Sequence, residues 1–356
     1  MKVYKLFHVL AILAVLLAAC GGAARQAAST ELNLYAWSEY IPQSLLDSFS
    51  KDTGIKVNYD TYSSNEELIA KLQAGASGYD VIIPSDYTVD ILRKQDMLDP
   101  IDLAQIPNFK NIDDRFKNPE YDPGNKYTVP YQWGTVGLAY DTTKVTNPPT
   151  RWADMWDPAY KGQIVLLDDE REVLGMVLTV LGYDKNSTDP KQLEEAKQKF
   201  LALKDNIKLY DSDSPKTALL SGEVLLGLVW NGEGAIAHAE NPNITYICPE
   251  EGCGIWFDNL AVPKGAPHKD AAFKFLNYIL DAKNSIEITK AFPYSNPNKA
   301  ALDYWKTVDP AAYDAYMSFT ATNPSAQDIA KAHMVKDVGD ATQLWDTVWT
   351  EVKGGQ

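Results

Sequence analysis

Aromatic and acidic side chains collect where the predicted strands end, which is where open α/β sheets bind their ligands. The strands are predicted over 32–37, 79–84, 163–167 and 224–228, with a further junction at 255–258. The side chains at these positions that could do chemistry are Trp37, Ser38, Glu39, Tyr40, Ser85, Asp86, Tyr87, Asp169, Glu172, Trp230, Trp256 and Asp258. Because histidine is almost absent among them, the sequence predicts a site built from carboxylates and aromatic rings.

Such a mixture suits an elongated organic polycation. Aromatic faces bury the methylenes of an alkyl polyamine, each worth about 0.8 kcal/mol, and they attract its ammonium groups. Carboxylates accept charge-assisted hydrogen bonds from the same ammonium groups. A desolvated ammonium must be paired, because an unpaired one costs several kcal/mol. The pattern therefore favours a polyamine ligand.

Each residue also has a purely structural interpretation. Any one tryptophan could pack in a core, and Ser85 could cap the helix that follows it. Asp169 and Glu172 stand three residues apart, on one face of a helix if one begins there, where the helix dipole alone favours acids. Glu39 could lie on a solvated turn. It is their shared position at strand ends that favours a common site.

The elements that must position these side chains read as α/β, because short apolar runs alternate with helical patterns. A capping box at Ser64 precedes one predicted helix, and Pro190 marks the start of another. About 335 residues after the N-terminal segment exceed what one core usually supports. We therefore expect two α/β lobes with more than one crossover between them.

The N-terminus has the pattern of a lipoprotein signal. Lys2 and Lys5 precede an apolar run over 9–19 that is shorter than the roughly 20 residues of a membrane span, and small residues then precede Cys20. This predicts a signal peptide over 1–19, a lipid-modified Cys20 and a flexible tether over 20–30. The protein is therefore expected to be exported and anchored to the outer face of the cell membrane.

Charge and cysteine usage limit the remaining possibilities. Without residues 1–19 the chain has 31 basic and 48 acidic residues, a formal charge of −17, which argues against nucleic-acid binding. Cys248 and Cys253 lie close together and could form a disulfide in an oxidising compartment. Free thiols and a metal site are the alternatives, although no histidine lies between the two.

The chain resembles the substrate-binding proteins of bacterial spermidine/putrescine ABC importers along nearly its whole length. Matching motifs lie at 34–40, 53–57, 79–85, 129–134, 168–173, 230–232, 256–261 and 336–339. The resemblance implies the two-lobed periplasmic-binding fold, type II-like, with a mostly parallel sheet flanked by helices in each lobe and the ligand in the interlobe cleft. It places lobe 1 at 31–136 and 259–303, and lobe 2 at 137–258 and 304–356.

The resemblance also implies roles for single residues. Asp258 is expected to hold one ammonium group, Asp169 and Glu172 the other amines, while Glu39 and Ser85 are polar wall positions. An aromatic box is expected from Trp37, Tyr40, Tyr87, Trp230, Trp256 and Tyr294. The retention of both Asp169 and Glu172 favours spermidine over putrescine.

Three features depart from the family pattern. Val335 stands where the spermidine-binding proteins carry a glutamine, which removes one polar contact. Asp86 replaces a threonine and adds a further partner for a cation. The cysteine pair, Cys248 and Cys253, is also unlike the pattern.

Other functions fit the sequence less well. A receptor of the same fold for another small cationic solute is the nearest alternative. A ferric-ion or anion receptor would need neighbouring tyrosines or arginines at helix N-termini. A secreted glycan hydrolase could use paired acids, but there is no recognisable triad or Gly-x-Ser-x-Gly elbow. We therefore expect no catalysis, no cofactor and no metal, with the permease subunits of an ABC importer as partners.

Overall fold

The computed structural model describes residues 29–75 and 78–354. The predicted signal peptide, Cys20 and residues 20–28 of the predicted tether lie outside these residues.

Ten strands and thirteen helices make up the described fold. The strands are β1 Glu31–Trp37, β2 Lys56–Tyr62, β3 Val81–Ile82, β4 Thr128–Asp141, β5 Ile164–Leu166, β6 Ile207–Tyr210, β7 Leu226–Trp230, β8 Ile244–Ile247, β9 Gly254–Ala261 and β10 His333–Met334. The helices are α1 Gln43–Thr53, α2 Asn65–Gln73, α3 Asp86–Lys94, α4 Glu170–Val180, α5 Pro190–Leu201, α6 Lys216–Ser221, α7 Asn231–Glu240, α8 Lys269–Ile279, α9 Ala282–Ala291, α10 Lys299–Val308, α11 Pro310–Ser318, α12 Ala326–Lys331 and α13 Thr342–Gly354.

Two groups of parallel strands are joined by two antiparallel strands. The order is β2-β1-β3-β9-β4-β7-β5-β6, with β8 paired to β4 and β10 paired to β9. β1, β2 and β3 are mutually parallel, as are β5, β6 and β7. Between the groups, β4 and β9 pair antiparallel, and each also contacts strands of a lobe: β9 contacts β3, and β4 contacts β7. The fold is thus a two-lobed α/β architecture whose halves share two strands.

Local sequence explains how the helices around the site begin. The Ser64 hydroxyl accepts a hydrogen bond from the backbone N–H of Glu67 at 3.1 Å and caps α2. Pro190 occupies the first turn of α5, after Asp189 as its N-cap. Helix α1 ends at Gly54, whose φ of 73° is the left-handed conformation that glycine adopts without strain. The signals that the sequence offers are therefore used where they were expected.

The long central strand β4 is buried at every residue from Thr128 to Asp141. Its register with β9 shifts between Pro130 and Gln132, a bulge at the junction of the two halves. The core packs on both faces of this strand, which accounts for its run of apolar, aromatic and glycine residues.

A disulfide bond joins Cys248 and Cys253, whose Cα atoms lie 5.0 Å apart. It closes the turn between β8 and β9. None of the helices in the described ranges combines the length and the apolar character that a membrane crossing requires.

Candidate functional site

A cavity lies between the two halves, at the carboxyl ends of the parallel strands. Twelve of the thirteen ligand-binding residues predicted from the sequence line it, and Glu39 does not. Its lining consists of Trp37, Ser38, Tyr40, Asn65, Ser85, Asp86, Tyr87, Asp169, Arg171, Glu172, Ser212, Asp213, Trp230, Trp256, Asp258, Tyr294 and Val335.

Asp258 lies on β9, which runs between the halves, and its carboxylate is buried and oriented from both sides. The Ser85 hydroxyl donates a hydrogen bond to its Oδ1, and the Tyr40 hydroxyl donates to its Oδ2, both at 2.6 Å. No lysine or arginine of the described chain forms an ion pair with it. Burial raises the pKa of Asp258 to about 7, although both hydrogen bonds oppose that rise. The carboxylate is fixed in place and lacks a positive partner.

Asp86 adds a second buried acid to the same side of the cavity. Its Oδ1 accepts a hydrogen bond from the Tyr87 backbone N–H at 2.7 Å, while its Oδ2 has no hydrogen-bond partner within the described ranges. Burial raises its pKa well above the usual range, and the neighbouring charges of Asp258 and Glu172 raise it further. A cation bound here would relieve both acids.

Asp169 and Glu172 lie at the start of α4. The Asp169 side chain caps this helix by accepting a hydrogen bond from the backbone N–H of Glu172 at 2.9 Å. Burial, followed by the charges of Glu66 and Glu172, raises the pKa of Asp169 to about 7. The structural and the ligand-binding interpretations of Asp169 are thus compatible. One carboxylate oxygen caps the helix, and the same side chain lines the cavity.

Glu172 differs from the other buried acids because it has its own cation. The Lys185 Nζ lies 2.6 Å from Glu172 Oε2, and both side chains are almost fully buried. Gly254 allows this approach, since a Cβ at that position would lie 2.5 Å from Glu172 Oε2. The sequence offered no signal for Lys185, which lies in a loop thirteen residues after Glu172.

The aromatic side chains form a continuous wall with edge-to-face contacts. Ring centroids lie 6.5 Å apart for Trp37 and Trp230, 6.3 Å for Trp230 and Trp256, and 5.5 Å for Trp256 and Tyr294. Tyr40 continues the series, 5.4 Å from Tyr294. Edge-to-face packing leaves ring faces available to methylenes and ammonium groups.

Backbone hydrogen bonds fix two of these indoles. The Trp37 Nε1 donates to the carbonyl oxygen of Ile83, and the Trp230 Nε1 donates to that of Ser212, each at 3.0 Å. Trp256 Nε1 has no partner in the part of the chain that the structure describes. The wall is therefore anchored on both halves of the molecule.

Cross-cleft contacts hold the two halves together around the cavity. Ser38 Oγ donates a hydrogen bond to Asp213 Oδ1 at 2.6 Å, and Lys94 Nζ lies 3.1 Å from Asp337 Oδ2. Together with the contact between Trp37 and Trp230, these interactions hold the cleft closed.

Five lining residues were absent from the predicted ligand set: Asn65, Arg171, Ser212, Asp213 and Val335. Val335 was identified from the sequence only as the replacement for an expected polar residue, and its buried position in the lining agrees with that alignment. Ser212 and Asp213 follow β6. Because this strand was not predicted, nothing in the sequence indicated that the two residues lie at a strand end.

Arg171 is the one arginine in the lining, and it is held away from the acids. Its guanidinium lies 4.5 Å from the ring centroid of Trp345 and 5.6 Å from that of Tyr87. It also donates a hydrogen bond to the carbonyl oxygen of Lys336 at 2.8 Å. These contacts hold the guanidinium without an ion pair to Asp86, Asp169 or Asp258, and its Nε has no hydrogen-bond partner among the described residues.

Glu39 lies beyond the cavity wall and is about half exposed. Its backbone φ is 48°, an uncommon value for a residue with a side chain. Its carboxylate pairs with Lys216 at 2.6 Å. The predicted contact of Glu39 with the ligand therefore has a competing partner within the chain.

The cavity combines an aromatic wall with three buried acids, Asp86, Asp169 and Asp258, that form no ion pair among the described residues. Desolvated acids with raised pKa values mark functional sites more often than ordinary surface. Within residues 29–75 and 78–354, no group of three or more His, Cys, Asp or Glu side chains has the geometry to hold a metal ion. The arrangement is suited to binding an organic cation.

Comparison with known proteins agrees with this geometry. Residues 44–321 match the family described as bacterial extracellular solute-binding protein. The spermidine/putrescine-binding periplasmic protein of Salmonella typhimurium is 38% identical over 336 residues, covering 94% of both chains. A solved structure of a putative spermidine/putrescine ABC transporter from Listeria monocytogenes has a TM-score of 0.86 at 31% identity, and the match covers 92% of this chain and 100% of that one.

A lipoprotein of Treponema pallidum has a TM-score of 0.78 at 29% identity, covering 90% of this chain and 99% of its own. The matches extend over both halves of the molecule and over the strands that join them. The chain belongs to the family of bacterial extracellular solute-binding proteins.

Proposed function

We propose that the protein captures a polyamine in its interlobe cleft and delivers it to the permease subunits of an ABC importer. The observation that carries this proposal is Asp258, a buried carboxylate held by two hydroxyl groups, with no cation, beside an aromatic wall. An ammonium group would supply the missing charge, and the attached methylenes would lie against the indoles. Similar proteins that are named for spermidine and putrescine support the same class of ligand.

The binding residues that we propose are those of the cavity. Asp258 and Asp86 hold one end of the ligand, and Asp169, beside Glu172, faces another amine. The indoles of Trp37, Trp230 and Trp256 and the rings of Tyr40, Tyr87 and Tyr294 enclose the chain of methylenes. Ser85 and Ser38 act as polar wall residues. Binding, not turnover, is what this set supports.

Calorimetric titration tests the proposal directly. The purified protein without residues 1–19 is titrated with putrescine, spermidine and, for comparison, arginine. Saturable binding of a polyamine at one site per chain is the expected result. Binding of arginine but of neither polyamine would replace the proposed ligand by another cationic solute, and release of reducing sugar from a glycan would replace binding by catalysis.

We further propose that the protein is exported and anchored by a lipid on Cys20. The sequence pattern before Cys20 supports this, as does the similar protein of Treponema pallidum that is named a lipoprotein. A Cys20→Ser variant is expected to lose incorporation of a labelled fatty acid and to leave the membrane fraction. Membrane retention of an unlabelled variant would exclude Cys20 as the anchor.

We also propose that one lobe comprises residues 31–136 and 259–303, and the other residues 137–258 and 304–356. Strand β9 pairs with β3 of one group, β4 pairs with β7 of the other, and the two strands pair with each other, which supports boundaries within them. Hydrogen exchange with and without ligand is expected to divide the chain into two slowly exchanging bodies along these limits.

A further inference from the structure

Lys216 bridges two carboxylates at the end of the cleft. Its Nζ lies 2.6 Å from Glu39 Oε2, and 3.0 and 3.1 Å from the two oxygens of Glu233. The Ser214 hydroxyl accepts a fourth contact at 2.9 Å. Glu39 follows β1 in one half, whereas Lys216 and Glu233 belong to α6 and α7 in the other. The ammonium of Lys216 therefore binds both halves together.

This cluster is built into the protein and is not a loose surface pair. Glu233 is 2% exposed and Lys216 is 12% exposed in their side chains. Burial raises the pKa of Glu233 to about 7, although Lys216 opposes the rise. Burial alone would lower the pKa of Lys216, but Glu233 and Glu39 outweigh it and the pKa is raised. Lys216 is thus an ammonium at neutral pH.

The cluster directly adjoins the ligand cavity. Glu39 follows Ser38, which lines the cavity, and Glu233 is three residues beyond Trp230. Between them Gly232 lies so close to the ring of Tyr294 that a Cβ there would be 2.5 Å away. The cluster therefore lies behind the end of the aromatic wall, next to residues of the lining but not itself part of it.

On the basis of the proposed function, we propose that Lys216 is a specificity-determining residue that stands in place of a ligand amine. Its ammonium occupies Glu39 and Glu233, so these carboxylates do not attract a third amine. Among the buried carboxylates of the lining, Lys185 occupies Glu172 in the same way. Among the described residues, two groups of buried lining acids remain without an ion pair: Asp258 together with Asp86, and Asp169. Two such groups match a ligand with two ammonium groups. The cleft therefore selects a diamine such as putrescine, contrary to the preference for spermidine expected from the sequence.

The affinities of putrescine and spermidine for the wild-type protein and for a double variant, Lys216→Met with Glu233→Gln, test this inference. The double change frees Glu39 and, because Glu233 becomes a neutral amide, does not leave a charged Glu233 buried without Lys216. The wild type is expected to bind putrescine at least as tightly as spermidine. In the double variant the preference should move towards spermidine by about tenfold or more, the effect of one new charge-assisted hydrogen bond.

Matched variants separate the mechanism from a general change in charge. Adding Glu39→Gln to the double variant should reverse the gain for spermidine. Lys208→Met, which removes an exposed lysine on β6, should leave the ratio of the two affinities as in the wild type. If the double variant does not fold, Lys216→Met alone serves at pH 7, because the buried Glu233 then takes up a proton.

The outcomes distinguish this inference from the function on which it rests. Failure of the wild type to bind any polyamine would overturn the proposed function. Binding of polyamines with an unchanged ratio in a folded variant would overturn only the role of Lys216. A wild-type protein that binds spermidine more than tenfold tighter than putrescine would do the same without any variant.

Discussion

Asp258 and Glu172 are two buried acids of the same cavity with opposite electrostatic environments. Glu172 has Lys185 at 2.6 Å, whereas Asp258 has only the hydroxyl groups of Ser85 and Tyr40. A buried ion pair satisfies its own charge, while a buried carboxylate bound by hydroxyl groups still pays for desolvation. In the function that we propose, Asp258 is therefore the acid available to a ligand ammonium, whereas Glu172 is already paired within the chain.

Family membership alone does not show which of the matching carboxylates a ligand can pair with. A carboxylate in a matching motif position is available to a ligand only if no cation of the same chain occupies it. Lys185 and Lys216 each occupy a carboxylate that the resemblance assigns to ligand binding. We therefore expect the number of ammonium groups on the preferred ligand to depend on the internal lysines as well as on the acids.

The largest expected effect comes from breaking the internal ion pair. Lys185→Met leaves Glu172 as an unpaired buried charge and should lower the free energy of unfolding by about 3–5 kcal/mol. Chemical denaturation measures this loss. A second change, Glu172→Gln in the same chain, should restore much of it, and equal stability of the single variant and the wild type would show that the pair contributes nothing.

A smaller effect, confined to binding, is expected at Asp258. Asp258→Asn removes the charge but keeps the size of the side chain, and it should weaken polyamine binding by about tenfold to a hundredfold. Calorimetric titration gives the affinity. Asp303→Asn, on the exposed face of α10, is the matched control and should bind as the wild type does. An unchanged affinity for the Asp258 variant would remove this residue from the site.

The smallest effect is a pH dependence shared by the unpaired acids. In the ligand-free protein the pKa values of Asp258 and Asp169 are raised to about 7, and a bound ammonium favours their ionised forms. Binding should therefore release protons below pH 7. Each such acid should make the affinity about tenfold lower at pH 6 than at pH 8.

The stability of the ligand-free protein should change in the opposite sense. The folded pKa of Asp258 lies above the value of about 3.9 for an unfolded chain. Its contribution to stability is fully present below that value and is lost as the pH rises through about 7. The Asp258→Asn variant should show a shallower dependence in both measurements, and parallel curves for variant and wild type would assign the titration to other groups.

Much of the site followed from sequence because parallel strands place their ends at one edge. Residues after β1, β5 and β7 could be assembled from local patterns alone, and twelve of thirteen predicted residues line the cavity. Strand β3 was predicted over 79–84, but only Val81–Ile82 is paired as a strand. The chain there turns early towards α3, which positions Ser85 and Asp86.

The partners of the acids could not be predicted, because they depend on contacts between distant segments. Lys185 lies in a loop and Lys216 on a short helix, and neither shows a pattern that distinguishes it from a surface lysine. Strand β4 was not predicted as one element either, because the aromatic and glycine-rich sequence over 131–140 gives no clear strand pattern. Only the pairing with β7 and β9 explains its length.

The two strands that cross between the halves limit how this architecture can be divided or recombined. Residues 128–136 of β4 pair with residues 254–261 of β9, and β9 pairs with β3 at Ala261. Residues 136–141 of β4 pair with β7 and β8. Neither half could be expressed as an independent module without severing a fully buried strand. A chimaera that exchanges one half with a relative must therefore be spliced inside two buried strands at once, and Trp256 and Asp258 lie at one of those junctions.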